Sequence, residues 1–454
     1  MVFNSVDFLL KFLPIFLLIY YITEAKYRNV VLFIGSIYFY AYGEPVYVLL
    51  LLGSMVVNYE VGKRLDIKRK TKQTKRRMLF WATAAADVAV LAFFKFIPEV
   101  FLANVKLGLP LGISFYTFQV LSYLVDVYRG DIRTEHSFVK LGTYISMFPQ
   151  LVAGPIVTYS EVSRELKFRR CTLAQMDGGL KRFVWGLSMK VLLADRLAIL
   201  WHEIQTTGFV SISTPLAWFG AVGYSMQIYF DFYGYSLMAV GLGEMLGFSL
   251  PENFDMPYIS KSVREFYRRW HMTLGRWFRD YVYIPLGGSR KGVFRTVLNL
   301  LAVWILTSFW HGGSPNFLIW GLSLWLLITL ERLLDKKNRI EKSRVLSHLY
   351  VLFVIPLTWM CFAITDISEL QVYFGRMFGF TAGINVNPAD FVKAVGNYGV
   401  LFVVGIFMCT PISKKLFERY RNKLVGMLVL AALFWWCVWR IMTEGNNPFM
   451  YLRF

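Results

Sequence analysis

Apolar residues run through this chain in long stretches separated by short polar intervals. The stretches lie near 6–22, 29–42, 45–61, 78–94, 109–128, 139–157, 180–201, 213–245, 296–310, 315–331, 346–365, 396–412 and 424–441. A hydrocarbon core of ~30 Å takes ~20 helical residues, so the pattern predicts an all-α, polytopic transmembrane protein of roughly 11–13 hydrophobic segments. Two regions should not cross singly. The stretch 139–157 carries Pro149 and Ala153-Gly154-Pro155 and is expected to dip in and return. The pair 296–310 and 315–331 reads as a hairpin whose arms, at ~1.5 Å per residue, are too short to cross twice. Its turn, Trp310-His311-Gly312-Gly313-Ser314-Pro315, is therefore expected to lie below the outer surface. Broken backbone at that depth is tolerated only where protein surrounds it or it lines a watery cavity.

Composition narrows the class. Of 454 residues, 56% are apolar, 18% aromatic and 17% charged, against about 45–50% apolar and about 25% charged in soluble domains. Soluble enzymes and disordered chains are excluded. The net charge of +20 would suggest nucleic acid in a soluble protein. Here the basic residues sit in loops at Lys63–Arg77, Arg164–Arg170, Arg332–Arg344 and Lys414–Lys423, where they set topology and meet anionic headgroups of the lipid bilayer, with no nucleic acid partner. Positive-inside logic puts these loops in the cytoplasm and both termini outside. The N-terminus lacks a basic region and a small-residue cleavage site, so the first span is expected to be retained. Cys171, Cys361, Cys409 and Cys437 form no C-x-x-C pair and read as small hydrophobes.

Candidate chemistry is sparse. His136, His202 and His348 lie in loops or near span ends and read as solvated. No H-x-x-x-H or H-E-x-x-H spacing occurs, so no metal site is expected. His311 stands at a helix break in an apolar hairpin, and an intramembrane ionisable residue is a functional candidate; a ring that satisfies the broken helix reads equally well. From Lys261 to Tyr281 the pattern is amphipathic at helical spacing. Lys261, Arg264, Arg268, His271 and Arg279 fall on one face, with Phe266, Trp270, Leu274, Trp277 and Tyr281 on another. Such a helix lies at the membrane interface. The residues alone favour lipid anchoring over a cationic wall for a phosphate-bearing ligand. Asp231, in the patch Gln227–Ser236, must be paired or line a cavity and is expected to support a central site.

These residues coincide with a known family. Pro251–Ser260, continued through Phe266–Thr273 and Trp277–Gly288, together with Phe309-Trp310-His311-Gly312, Val152–Ile156 and Asp231–Ser236, resembles the membrane-bound O-acyltransferases over the whole chain, as a single membrane domain of residues 1–454. The resemblance is to the bacterial branch that includes the alginate O-acetylation membrane protein and the D-alanyl transfer protein of teichoic acid modification. It implies re-entrant and interfacial helices around a central tunnel, with Trp310, Gly312, Asp231, Gln227, Trp270 and Trp277 along it. It implies His311 as the catalytic residue, His271 as a second family histidine, and Tyr451, in the aromatic tail 446–454, as the carrier of an acyl group. Leu237, Thr158 and Leu452 depart from the pattern and leave the acceptor polymer open.

The implied reaction moves an acyl group, acetyl foremost, from a cytoplasmic thioester to an extracytoplasmic polysaccharide or cell-wall acceptor. Acetyl-CoA or an acyl-carrier phosphopantetheine thioester is the donor, with no permanently bound cofactor. Lys261, Arg264 and Arg268 would meet its phosphates. His311 would act as general base, since an imidazole of pKa ~6.5 suits that work. A phenol of pKa ~10 at Tyr451 would ionise more readily than a sugar alcohol. A secreted or membrane-anchored SGNH-type transferase or esterase is the expected partner. The expected location is the bacterial cytoplasmic membrane, with the C-terminus outside. D-alanyl or another carrier-delivered acyl group, and a transporter or channel without covalent chemistry, are the alternatives.

Overall fold

The computed structural model describes residues 1–66, 73–101, 108–152, 154–334, 343–445 and 449–450, and among them every regular element is a helix. Tyr451 with the rest of the tail end, Ala153, and parts of the basic loops at 67–72 and 335–342 lie outside the described residues. Among the described residues six helices are long and apolar enough to cross a membrane: Gln73–Phe96, Gly292–His311, Pro315–Leu334, Arg344–Ala363, Asp390–Met408 and Leu424–Glu444. The protein is an all-α, multi-pass membrane protein. By backbone proximity the chain divides into two compact units. One comprises Met1–Gly186, Tyr235–Glu252 and Val438–Phe454; the other comprises Leu187–Gly234 and Asn253–Cys437.

In the first unit, Phe8, Phe12, Phe16 and Phe39 surround Phe148, with ring centroids 5.2–6.2 Å from it. Edge-to-face and offset geometry of this kind adds to simple burial. Phe148 belongs to the stretch expected to dip and return. That stretch folds as Phe138–Ser146 and Phe148–Leu151, of nine and four residues. Each is too short to cross alone, at ~1.5 Å per residue. Phe449 of the tail is buried and stacks on Tyr235 at 4.6 Å.

The second unit holds both histidines of interest and corrects two expectations. The hairpin arms are not short. Gly292–His311 and Pro315–Leu334 each have 20 residues, ~30 Å of helix. The polar-looking ends of each arm join the helix because Gly292-Val-Phe-Arg and Leu330–Leu334 continue its backbone hydrogen bonding. The burial of His311 thus comes from the protein around it and not from a shortfall in arm length. The arms pack closely where Gly321 faces Ser308, since a Cβ at 321 would collide with the Ser308 hydroxyl. The second correction concerns Lys261–Tyr281, which is no continuous amphipathic helix. It folds as Val263–Arg269, Met272–Phe278 and a wider turn, Arg279–Tyr283. The break falls at Trp270-His271, so the five basic residues do not share one helical face: Arg264 and Arg268 stay together on the Val263–Arg269 helix, half-buried and exposed, while His271 is buried beyond its end.

Two buried carboxylates anchor this unit. Asp231, on the helix Thr214–Met245, meets Lys190 at 2.7 Å, and Lys190 also meets Asp195 at 2.5 Å. The lysine comes from the π-helical turn Met189–Ala194. An intramembrane charge requires such partners. Glu331 accepts from the backbone N–H groups of Val263 and Arg264, at 2.6 and 3.0 Å, and from the Tyr350 hydroxyl at 3.1 Å. It therefore satisfies the open N-terminal amides of the Val263–Arg269 helix and binds that helix to a spanning one.

Candidate active site

The Gly292–His311 helix ends where two glycines follow it, and Pro315 opens the next arm with its fixed φ suited to a first helical turn. At Gly312 an added Cβ would lie 2.5 Å from the ring of Phe317, so a residue without a side chain lets that ring close over the helix end. His311 is held among aromatic rings: Trp310 at 4.8 Å, Trp320 at 5.0 Å, Phe362 at 5.2 Å and Phe317 at 6.4 Å between centroids. Phe362 keeps its place because the Asn316 amide donates to the carbonyls of Cys361 and Phe362, both at 3.1 Å. These are C-terminal carbonyls of the Arg344–Ala363 helix, which have no partner within it.

His271 is held by hydrogen bonds. It caps the Met272–Phe278 helix in left-handed backbone geometry, φ 45° and ψ 52°, which costs a non-glycine residue roughly 1–2 kcal/mol. The segment at Asn253 compensates. Met272 N–H donates to the Asn253 carbonyl at 2.9 Å, and Asp255 N–H to the Arg269 carbonyl at 3.0 Å. The Asn253 side-chain oxygen lies 3.0 Å from His271 Nδ1 and accepts from the backbone N–H and hydroxyl of Thr273, at 3.2 and 2.9 Å. Phe232 packs edge-on against the imidazole at 4.6 Å, and Trp310 lies 6.0 Å away. Burial pushes the His271 pKa down to about 3, so the ring is neutral at physiological pH.

The two histidines line one cavity of about 100 Å³ with Tyr267, Trp270, Leu274, Gly275, Phe278, Val303, Trp304, Thr307 and Trp320. Sequence reading had placed His271, His311 and Trp270 in one site, and the structure brings all three together. Trp310 lies beside both imidazoles and Gly312 lies against Phe317, but neither lines the cavity. Asp231, Gln227 and Trp277 are buried but do not line the cavity. Asp231 is instead paired with Lys190, and the next residue, Phe232, packs on His271. Lys261, Arg264 and Arg268 are outside the lining as well. Three residues escaped sequence reading: Asn253, Lys190 and Glu331. Lys190 carried a usable signal, since it lies in an apolar run five positions before Asp195. Among the described residues no group of three or more His, Cys, Asp or Glu side chains is placed to hold a metal ion.

A small aromatic chamber with two imidazoles, set in a multi-pass helical protein, is the arrangement of a membrane-embedded group-transfer enzyme. Comparison with known proteins makes the class specific. Residues 33–373 match the model of the membrane-bound O-acyltransferase family. The chain is 36% identical over 396 residues to a probable alginate O-acetylase of Pseudomonas putida, covering 84% of this chain and 81% of that protein. It is 33% identical over 427 residues to a peptidoglycan O-acetyltransferase of Helicobacter pylori, covering 83% and 80%. It is 28% identical over 275 residues to a teichoic acid D-alanyltransferase of Bacillus subtilis, covering 56% and 67%. The chain belongs to the membrane-bound O-acyltransferase family. It is an O-acyltransferase, and the transporter or channel alternative falls away.

Proposed function

We propose that this enzyme moves an acetyl group from a thioester donor of the acetyl-CoA type to a hydroxyl, on the way to an extracytoplasmic polysaccharide or cell-wall polymer. One observation carries the acyl choice: the cavity shared by His271 and His311 is small, and no described carboxylate lines it. A cavity of about 150 Å³ holds a benzene ring, so 100 Å³ suits an acyl head of a few heavy atoms and not a fatty chain. A D-alanyl group would bring an ammonium into an aromatic wall with no acidic partner, at a high desolvation cost. Acetyl brings no charge. The likeness to two O-acetylating relatives over most of their length supports the same choice.

In this reading His311 takes the proton of the attacking hydroxyl. The oxygen bonds to the thioester carbonyl carbon, the carbon–sulfur bond breaks, and the departing thiolate receives that proton. The surrounding rings exclude water that would otherwise hydrolyse the donor. Lys261, Arg264 and Arg268 serve the donor's phosphates from outside the chamber. Tyr451 is the first hydroxyl acylated, and its reactive phenyl ester passes the group to an SGNH-type partner. The enzyme resides in a bacterial cytoplasmic membrane with its tail outside. The test is thiol release by purified protein supplied with radiolabelled acetyl or D-alanyl thioesters. Acetyl should turn over, His311→Ala should lose about 10²–10⁴-fold in kcat while remaining folded, and a base-labile label should appear on wild type but not on Tyr451→Phe. Equal turnover by His311→Ala, or a preference for the D-alanyl donor, rejects this reading; an unlabelled wild type under turnover rejects the tail relay.

A further inference from the structure

The hydrogen bonds at Asn253 determine where His271 carries its proton. The backbone N–H of Thr273 can only donate, so the Asn253 atom 3.2 Å from it must be the amide oxygen. That oxygen is 3.0 Å from His271 Nδ1 and has nothing to donate. Nδ1 must therefore bear a hydrogen. In a neutral imidazole the other nitrogen, Nε2, then holds the lone pair. The arrangement is enclosed: Asn253, His271 and Thr273 are all buried.

We infer that Asn253 is a positioning residue that locks His271 in the Nδ1–H form, so that Nε2 works as a hydrogen-bond acceptor toward an N–H or O–H group of the substrate and not as a proton carrier. A ring in this state cannot protonate the departing sulfur, because its one N–H is engaged by Asn253. Proton transfer in both directions is then left to His311. The two histidines divide the work: one accepts a hydrogen bond and holds, the other moves the proton. The functional half of this inference rests on the proposed acyl-transfer reading; the assignment of the tautomer does not.

The charged and titratable groups around His271 do not replace Asn253. His311 and Tyr267 share the cavity. Asp231, next to Phe232, is bound to Lys190. Arg269 pairs with Asp255 and Glu265, and Arg276 lies one turn further along the chain. No described carboxylate lines the cavity. Turning Asn253 into Asp would keep an acceptor at the same place and add a negative charge beside Nδ1–H, which favours the imidazolium. Protonated Nε2 could no longer accept.

The test is solid-state NMR of wild type labelled with ¹³C and ¹⁵N at histidine, with the His271 signals identified by their loss in His271→Gln. Resting wild type should show Nδ1–H, and Asn253→Leu should shift His271 toward Nε2–H. Asn253→Asp keeps the fold-supporting acceptor and should introduce an acid limb into the kcat profile. Its activity at pH 6 relative to pH 8 should fall roughly tenfold below the wild-type ratio, the loss expected when the added charge raises the ring's titration into the neutral range. Wild-type His271 in the Nε2–H form, or an Asn253→Asp profile identical to wild type, overturns the inference. Inactivity of every donor with a correct tautomer would instead remove the acyl-transfer reading and leave the Asn253 assignment intact.

Discussion

The turn at His271 and the helix end at His311 invite comparison. Each interrupts a helix, each follows a tryptophan, each is buried, and both face one cavity. They are held by different forces. Asn253 and Thr273 engage the His271 turn through directional hydrogen bonds, while Trp310, Trp320, Phe317 and Phe362 pack around His311. A hydrogen bond assigns a proton to one side of a ring. A stack of rings sets orientation and excludes water without assigning the proton. The difference shows how one chamber can seat its two imidazoles by different sets of contacts.

This contrast predicts two kinds of sensitivity. What polar partners hold should suffer when one partner is lost, and what rings hold should suffer when shape changes. The largest effect is expected at the polar support beside Phe232. Lys190→Met leaves Asp231 and Asp195 without their buried cation, and removal of one partner from such a network costs about 3–5 kcal/mol. Chemical unfolding in detergent should show that loss, and the double variant Lys190→Met/Asp231→Leu should recover much of it. Equal stability of Lys190→Met and wild type would mean the triad is not structural. Next comes shape: Gly312→Ala forces the Phe317 ring off the end of the His311 helix. A misplacement of about 1 Å can cost roughly 100-fold, so kcat should drop by roughly 10- to 100-fold with KM little changed. A kcat within twofold of wild type would show that the rings do not orient His311. Smallest is Arg268→Gln, which touches neither support. Arg268 is exposed, so screening would limit the pull proposed for it on the donor phosphates, and KM should rise roughly threefold at low salt, less at high salt. A KM that does not move would return Arg268 to lipid contact alone.

Much of the architecture was legible in advance. The lengths of the apolar runs announced a multi-pass helical protein, and Pro149 with its small neighbours announced the broken segment that became Phe138–Ser146 and Phe148–Leu151. The motifs around Trp270-His271 and Trp310-His311 pointed to two imidazoles that line one cavity. Periodicity failed at 261–281 because Asn253, eight residues upstream of that stretch, draws Met272 and Thr273 into hydrogen bonds and turns His271 left-handed. A pattern confined to its own window contains no trace of that partner. Apolar runs also understated the hairpin, since Arg295 and Arg332 interrupt hydropathy without interrupting the helices. Glu331 is tolerated there because Val263, Arg264 and Tyr350 donate to it.

The sequence by itself determined the membrane class, the helical fold and the family to which the chain belongs. Transfer from water to hydrocarbon is a property of each residue and adds along the chain, and the motif residues carry their chemistry wherever they are placed. Only tertiary structure decided which charges could be buried, which nitrogen of His271 bears a hydrogen, and how large a chamber the two imidazoles share. These depend on the distance between atoms far apart in the chain: 3.0 Å from Asn253 to His271, 2.7 Å from Lys190 to Asp231, 5.2 Å between the rings of His311 and Phe362. Directional and short-range forces act on such separations, and no linear pattern encodes them.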